Sequence, residues 1–513
     1  MRSRTIFLII SSACLLVLSF PNLDQPYCIW FALVPLIFAA EGKNGYRSFL
    51  LAWLCGFLFY TGLMYWIVVV TTTYGKLPYP AGVVLMLMLS GFLALYFALP
   101  FALARFVEAK YALSFPLLLP IFWVALEYFR SFLFSGFPWE NLGYSQYRLL
   151  PLMQFADITG VYGVSFLIVW VNAVVYLVLR GIALKQMPWK AVALTVLMLL
   201  SALGYGRIRL QEVAALSAAS PPLTVGLVQG NIPQDIKWDA AFRDEALKRH
   251  RDLTREALDA GSELVIWPES ATPFYFQNEP DYQAALFDLI RGSRSYLLIG
   301  SPSLAVEQRH YVSFNSAFLL TPDAAVAGRY DKMHLVPYGE YVPLKDLLFF
   351  VDKMVEGIGD FRPGKSVSLM PLPASRFGVL ICYEIIFPDL TRRFVKQGAG
   401  FLVNITNDAW FGNTGAPYQH FSMAVVRAIE NKRWVARAAN TGISGLISPT
   451  GSIEAASTVF TEASLTGNIR PLQTITFYTR YGDVFALSLC AAALTLLAAA
   501  CFKKRITINL INN

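Results

Sequence analysis

Phe377-Gly378-Val379-Leu380-Ile381-Cys382-Tyr383-Glu384 is an apolar run that ends on a thiol and a carboxylate. A run of this length without polar alternation predicts a strand buried inside a sheet. The same pattern recurs on either side of it. Short β-branched runs predict strands at Leu223–Gln229, Leu264–Trp267, Leu297–Gly300, Ser316–Leu320, Gly378–Cys382 and Phe401–Ile405, and helical patterns fit 239–260, 281–293, 388–397 and 418–433. Strands alternating with helices over about 250 residues predict an α/β domain with a largely buried sheet.

Six cysteines occur, and five of them (Cys14, Cys28, Cys55, Cys490, Cys501) lie in strongly apolar runs. Cys382 alone lies in the large polar segment, so its domain offers it no disulfide partner. It is either an inert core cysteine or a nucleophile.

Hydrophobic residues make up 56% of the 513 and charged residues 15%, with a mean hydropathy of +0.49. That balance excludes an ordinary soluble protein and fits a membrane protein with a substantial water-facing part. Apolar runs near 4–20, 27–42, 48–70, 81–104, 112–134, 162–179, 189–206 and 482–502 predict about eight transmembrane helices. Met1-Arg2-Ser3-Arg4 and its apolar sequel resemble a signal peptide, but no small-residue cleavage site follows, so an uncleaved first helix is expected. The expected domains are a membrane domain over 1–206 with about seven helices, an Ala/Ser-rich linker at 207–220 and an external domain at 221–472. A last helix at 482–502 and a cytoplasmic tail at 503–513 complete the chain.

Charge orients this arrangement. From Arg209 to Arg470 there are 25 Lys/Arg against 27 Asp/Glu, so the basic excess lies elsewhere. If the helices alternate, Arg2, Arg4, Lys43, Arg47, Arg105, Lys110, Arg180, Lys185, Lys190, Lys503, Lys504 and Arg505 share one side. The positive-inside rule makes that side cytoplasmic and puts the large domain outside, with both termini inside. The basic balance therefore reports topology, and no nucleic-acid partner is expected. The loop 135–161, with Phe137-Pro138-Trp139 and Asn141-Leu142-Gly143-Tyr144, reads as an interfacial aromatic belt or as a lipid-entry groove. Glu127 and Arg130 read as an interfacial helix pair. The apolar stripe Leu347, Leu348, Phe349, Phe350, Val351, Met354, Val355 and Ile358 reads as a buried helix or as an amphipathic arm in the outer leaflet.

Three polar residues sit just after, or between, predicted strands, and strand ends are where α/β sheets collect their chemistry. Glu269 follows Val265-Ile266-Trp267-Pro268, Lys332 lies in Tyr330-Asp331-Lys332-Met333-His334-Leu335-Val336-Pro337-Tyr338-Gly339-Glu340-Tyr341, and Cys382 ends its own run. Alone, Glu269 could cap a helix and Lys332 could be a solvated loop charge. Together a carboxylate, an ammonium and a thiol divide the labour of acyl transfer: base, oxyanion partner and nucleophile. The four histidines are scattered and no metal-spaced cluster occurs, so neither metal nor cofactor is expected.

With Val228-Gln229-Gly230-Asn231, Trp267-Pro268-Glu269, the Lys332 segment and Cys382-Tyr383-Glu384, residues 222–470 resemble the nitrilase (carbon–nitrogen hydrolase) superfamily. The apolar helices around them, and Leu335-Val336-Pro337-Tyr338-Gly339-Glu340-Tyr341-Val342-Pro343, extend the resemblance to the bacterial apolipoprotein N-acyltransferase family. In 1–206 it rests on architecture and the Phe137–Tyr144 run. It implies a polytopic α-helical membrane domain plus an external αββα sandwich. It implies Cys382 as nucleophile, Glu269 as general base and acid, and Lys332 as oxyanion stabiliser. Trp238, Glu340, Tyr383 and Glu384 occupy positions that support activity in the family. Each also has a plain structural reading: packing for Trp238, a turn cap for Glu340, core for Tyr383, a helix N-terminus for Glu384. The implied reaction takes a fatty acyl chain from a phospholipid, through a Cys thioester, to the N-terminal amine of a diacylglyceryl-cysteine apolipoprotein in the bacterial inner membrane, catalysed by a monomer. A membrane-tethered amidase or nitrilase-type hydrolase is the enzyme alternative, and a lipid transporter or scaffold with a degenerate domain is the non-enzymatic one.

Overall fold

A computed structural model describes residues 2–235, 237–307, 309–341 and 361–503. The stripe at 347–358 and all but the first residue of the expected tail lie outside the described residues. The chain forms two compact units, one of residues 1–67, 83–207 and 483–513, the other of 68–82 and 208–482.

The first unit is helical. Among the described residues, four helices are long and apolar enough to cross a membrane: Tyr79–Glu108, Val161–Leu184, Trp189–Ala219 and Val484–Phe502. Gly45–Leu63 and Trp66–Tyr74, bent by 53° at their break, count as a fifth if they are one span. The other expected spans are shorter. Ser3–Leu18 and Ile29–Ala39 fall below the length, the latter broken at Leu33 just before Pro35. Phe115–Arg130, at 16 residues, reaches about 24 Å. Length and apolarity thus support at least four membrane helices rather than a fixed eight. The stretch 207–220 is no loose linker, because helix Trp189–Ala219 runs through nearly all of it; Ala, Leu, Gln and Glu there are good helix formers. The aromatic loop also differs from an interfacial belt: Trp139 and Tyr144 are buried. Glu127 and Arg130 are buried with them, and Arg130 donates to the Tyr60 hydroxyl and to the Trp139 carbonyl while Glu127 accepts from Trp123 and the Leu142 N–H. Polar groups taken out of water need such partners, which turns the expected surface pair into an internal clamp on the loop.

The second unit is built on two six-stranded sheets. The strands are β1 (Leu223–Gln229), β2 (Leu264–Ile266), β3 (Tyr296–Glu307), β4 (His310–Leu320), β5 (Val326–Asp331), β6 (Leu369–Met370), β7 (Phe377–Ile381), β8 (Phe401–Thr406), β9 (Val435–Ala439), β10 (Gly445–Ile447), β11 (Ile453–Ala456) and β12 (Ala463–Ile469). One sheet runs β12-β1-β2-β3-β4-β5, the other β11-β10-β9-β8-β7-β6. In each a parallel trio, β1-β2-β3 or β7-β8-β9, is flanked by antiparallel strands. The sheets face each other, β1 against β9 and β4 against β7, with helices on the outer faces. The result is an αββα sandwich.

Burial follows that layering. Strands β7, β8 and β9 are buried along their whole length, as strands covered on both faces must be. On the other sheet Trp267 packs with Val265, Leu286 and Leu297 beneath the helices Arg243–Asp259 and Pro280–Ile290, and its indole N–H donates to the Thr254 hydroxyl at 2.8 Å. Sequence order closes the sandwich at one edge. β1 pairs with β12 from Leu223↔Ile469 to Gln229↔Ala463, and Arg470 donates back to the Ala218 and Ser220 carbonyls. The ends of β2, β5, β7 and β8 bring Glu269, Lys332, Cys382 and Asn407 together.

Candidate active site

Glu269 is held by its turn before it is held by its partners. Trp267 N–H still reaches across to Leu298, then Pro268 ends the ladder and Ser270 turns with φ +49°. Gly300 on β3 lies beneath: a Cβ there would collide with the Pro268 carbonyl oxygen and come within 2.8 Å of the Glu269 Cα. The Glu269 carboxylate, nearly buried, accepts from Asn315 Nδ2 at 2.7 Å, from the Asn407 N–H at 2.9 Å and from Lys332 Nζ at 3.4 Å.

Lys332 is 1% exposed and also meets Glu340, at 3.0 Å. Burial works against its charge, but Glu340 and then Glu269 outweigh it and hold the ammonium well above the ordinary lysine range. Asn315 joins the two carboxylates, donating to Glu340 at 2.8 Å as well as to Glu269. Glu340 in turn caps its own turn through the Val336 N–H. The expected turn cap is thus present, and the same carboxylate also meets Lys332 and Asn315.

Cys382 follows β7 with φ +51°, a left-handed conformation that costs a non-glycine residue about 1–2 kcal/mol. Burial pushes its thiol well up, the charge of Glu269 adds to this, and Lys332 opposes both. A thiol protonated at rest needs a base as it attacks. Glu384, fully buried, accepts from the Ile381 N–H at 2.8 Å, the Tyr330 hydroxyl at 2.8 Å, the Met333 N–H at 2.7 Å and the His334 N–H at 3.1 Å. It ties the strand before Cys382 to the loop after Lys332. Burial lifts its carboxyl to about 7, with the Ile381 N–H and Lys332 pulling the other way. The Tyr383 ring packs on Phe387 and His334. Trp238 is half-buried on the loop after Ile232, beside the cluster's second lysine.

That lysine, Lys237, was not singled out by the sequence. It is 3% exposed, donates to the Glu269 carbonyl at 3.2 Å and is pushed down to about 8 by burial, Glu269 and Cys382 opposing. Asn315, Asn404, Asn407, Asp408, His420 and Arg437 were missed as well. Polar residues inside otherwise apolar strands, as in Phe314-Asn315-Ser316 and Val403-Asn404-Ile405, were the available signal. Among the described residues no group of His, Cys, Asp and Glu gathers at metal spacing.

Comparison with known proteins covers both units. Residues 12–174 match the family model for the apolipoprotein N-acyltransferase N-terminal domain, and residues 224–477 match that for carbon–nitrogen hydrolases. The apolipoprotein N-acyltransferase of Geobacter metallireducens is 46% identical over 98% of this chain and 96% of its own. That of Pasteurella multocida is 31% identical over 94% of each chain. Among solved structures, a Saccharomyces cerevisiae member of branch 10 of the nitrilase superfamily covers 49% of this chain and 90% of its own, at 20% identity and a TM-score of 0.38.

Proposed function

The chain belongs to the apolipoprotein N-acyltransferase family, and we propose on that footing that it moves an acyl chain from a phospholipid to the N-terminal amine of a diacylglyceryl-cysteine lipoprotein. The carrier is a thioester on Cys382. The observation that supports this is the convergence of Glu269, Lys332 and Glu340 in one hydrogen-bonded cluster, from which Glu269 and Lys332 act on the Cys382 thiol.

In the first step Glu269 takes the thiol proton as sulfur attacks the donor's ester carbonyl. The oxyanion is met by Lys332 Nζ and the Tyr383 N–H. The ester C–O bond then breaks, and Glu269 returns the proton to the departing lysophospholipid oxygen. In the second step the lipoprotein amine attacks the thioester and Glu269 takes its proton. The C–S bond breaks, and sulfur recovers the proton from Glu269. An α-amine titrates near pH ~8, so little work is asked of the base. Glu340 and Asn315 hold Lys332 and Glu269 in register. Glu384 holds the two loops together. In this reading a monomer crosses the inner membrane eight times, and the Lys/Arg distribution supports an orientation with the catalytic domain on the periplasmic side and the termini in the cytoplasm.

The test is intact-protein mass after incubation of the full chain with phospholipid vesicles. The expected result is one added acyl group on wild type, discharged by a diacylated lipopeptide and absent in Cys382→Ala. No adduct on wild type, or one that persists in Cys382→Ala, overturns the assignment.

A further inference from the structure

The carbonyl oxygen of Cys382 is served from behind by two side chains that the reaction above does not use. His420 Nε2 lies 3.2 Å from it and Asn404 Nδ2 3.4 Å, and both side chains are fully buried. One guanidinium orients both: Arg437 donates to Asn404 Oδ1 and, at 3.1 Å, meets His420 Nδ1. Asp408 anchors the guanidinium at 2.7 Å and lies 3.0 Å from the same ring nitrogen.

The proton on His420 follows from its neighbours. A carbonyl oxygen can only accept, so Nε2 must carry the hydrogen. At Nδ1 the Arg437 donor and the Asp408 acceptor compete, and the neutral ring with its hydrogen on Nε2 presents the Nδ1 lone pair to Arg437. Asp408 Oδ1 also accepts from the Thr406 hydroxyl at 2.8 Å. Burial and Arg437 keep the imidazole below its ordinary range, consistent with a neutral ring.

A peptide unit is planar, so fixing the Cys382 C=O also fixes the direction of the Tyr383 N–H. Donors on the oxygen also polarise the unit and strengthen the N–H at its other end. We propose that His420 is a positioning residue for acylation, setting through the Cys382 carbonyl the aim and strength of the Tyr383 N–H as oxyanion donor. This rests on the acyl-enzyme reading given above.

The test compares His420→Gln, whose amide nitrogen reaches the place of Nε2, with His420→Asn, which is too short. Single-turnover acylation of the full chain by phospholipid is measured by intact mass, and alkylation of Cys382 by iodoacetamide is measured beside it. Alkylation displaces a halide and builds no oxyanion. Losing an oxyanion donor outright costs about 10²–10³ in rate. Acting through a peptide, the Asn variant is expected to acylate at least about tenfold slower than the Gln variant, with alkylation within about twofold of wild type in both. Equal acylation in the two variants, or alkylation falling in step with acylation, overturns the proposal. If the Asn variant does not fold, His420→Phe fills the ring's space and offers the Cys382 carbonyl no donor, and acylation at the wild-type rate there overturns the proposal equally. No adduct on wild type would instead remove the acyl-enzyme reading and the proposal with it.

Discussion

Lys237 places an ammonium where water hardly reaches, against the Glu269 carbonyl. Its folded-state value of about 8 lies below the ordinary 10.5, so between those limits the unfolded chain binds the extra proton and stability rises with pH. Lys237→Met is therefore expected to melt higher than wild type at pH 7, and the difference should shrink as pH goes from about 8 to 10.5. A difference constant across that window, by thermal unfolding in detergent, would contradict the burial argument. The residue also marks the limit of legibility in the sequence. Glu269 and Cys382 could be found because each follows or ends an apolar run, and chain geometry alone puts such positions at the end of a sheet; Lys332 lies between the expected strands, after the half-exposed β5, and was found from its motif. Lys237 and His420 could not, because their partners Glu269 and Cys382 lie 32 and 38 residues away in sequence.

Strands position the chemistry to within a methyl group. At Gly300 the added carbon of alanine would press on the backbone of Pro268, Glu269 and Ser270, none of which can swing aside as a side chain could. Gly300→Ala is expected to lower turnover by about 10²-fold, since a displacement near 1 Å is enough for that, while most of the thermal stability remains. Equal losses in both would mean a general packing defect. The six expected strands lie where the apolar runs put them, with β3 and β4 extending well past their predicted ends. β9 went unseen because Val435-Ala436-Arg437-Ala438-Ala439 has weak strand propensity and carries a charge; Asp408 and Asn404 make that charge tolerable inside the sheet. Strands β11 and β12, largely exposed or half-buried, lack the apolar signal altogether. In the helical unit, hydropathy located the apolar segments. It could not foresee that Leu33-Val34-Pro35 interrupts one of them, nor that buried Glu127 and Arg130 hold an aromatic loop inside.

For the molecule as a whole, the charge distribution sets the outcome of labelling. Tyr311, 81% exposed on β4, and Lys185, exposed after helix Val161–Leu184, fall on opposite sides of the proposed topology. In cells with a permeable outer envelope, Tyr311→Cys is expected to react with a membrane-impermeant maleimide, and Lys185→Cys only after the inner membrane is opened. The reverse pattern would invert the chain. The β1–β12 edge has a separate, mechanical consequence. Because Leu223 pairs with Ile469, the chain enters and leaves the sandwich at the same end of one antiparallel ladder. Lateral tension on the two flanking helices would load that ladder as a zipper, one hydrogen-bonded rung after another, rather than in shear across all seven pairs. Arg470, clasping the Ala218 and Ser220 carbonyls at the fork, is the catch that such a pull meets first.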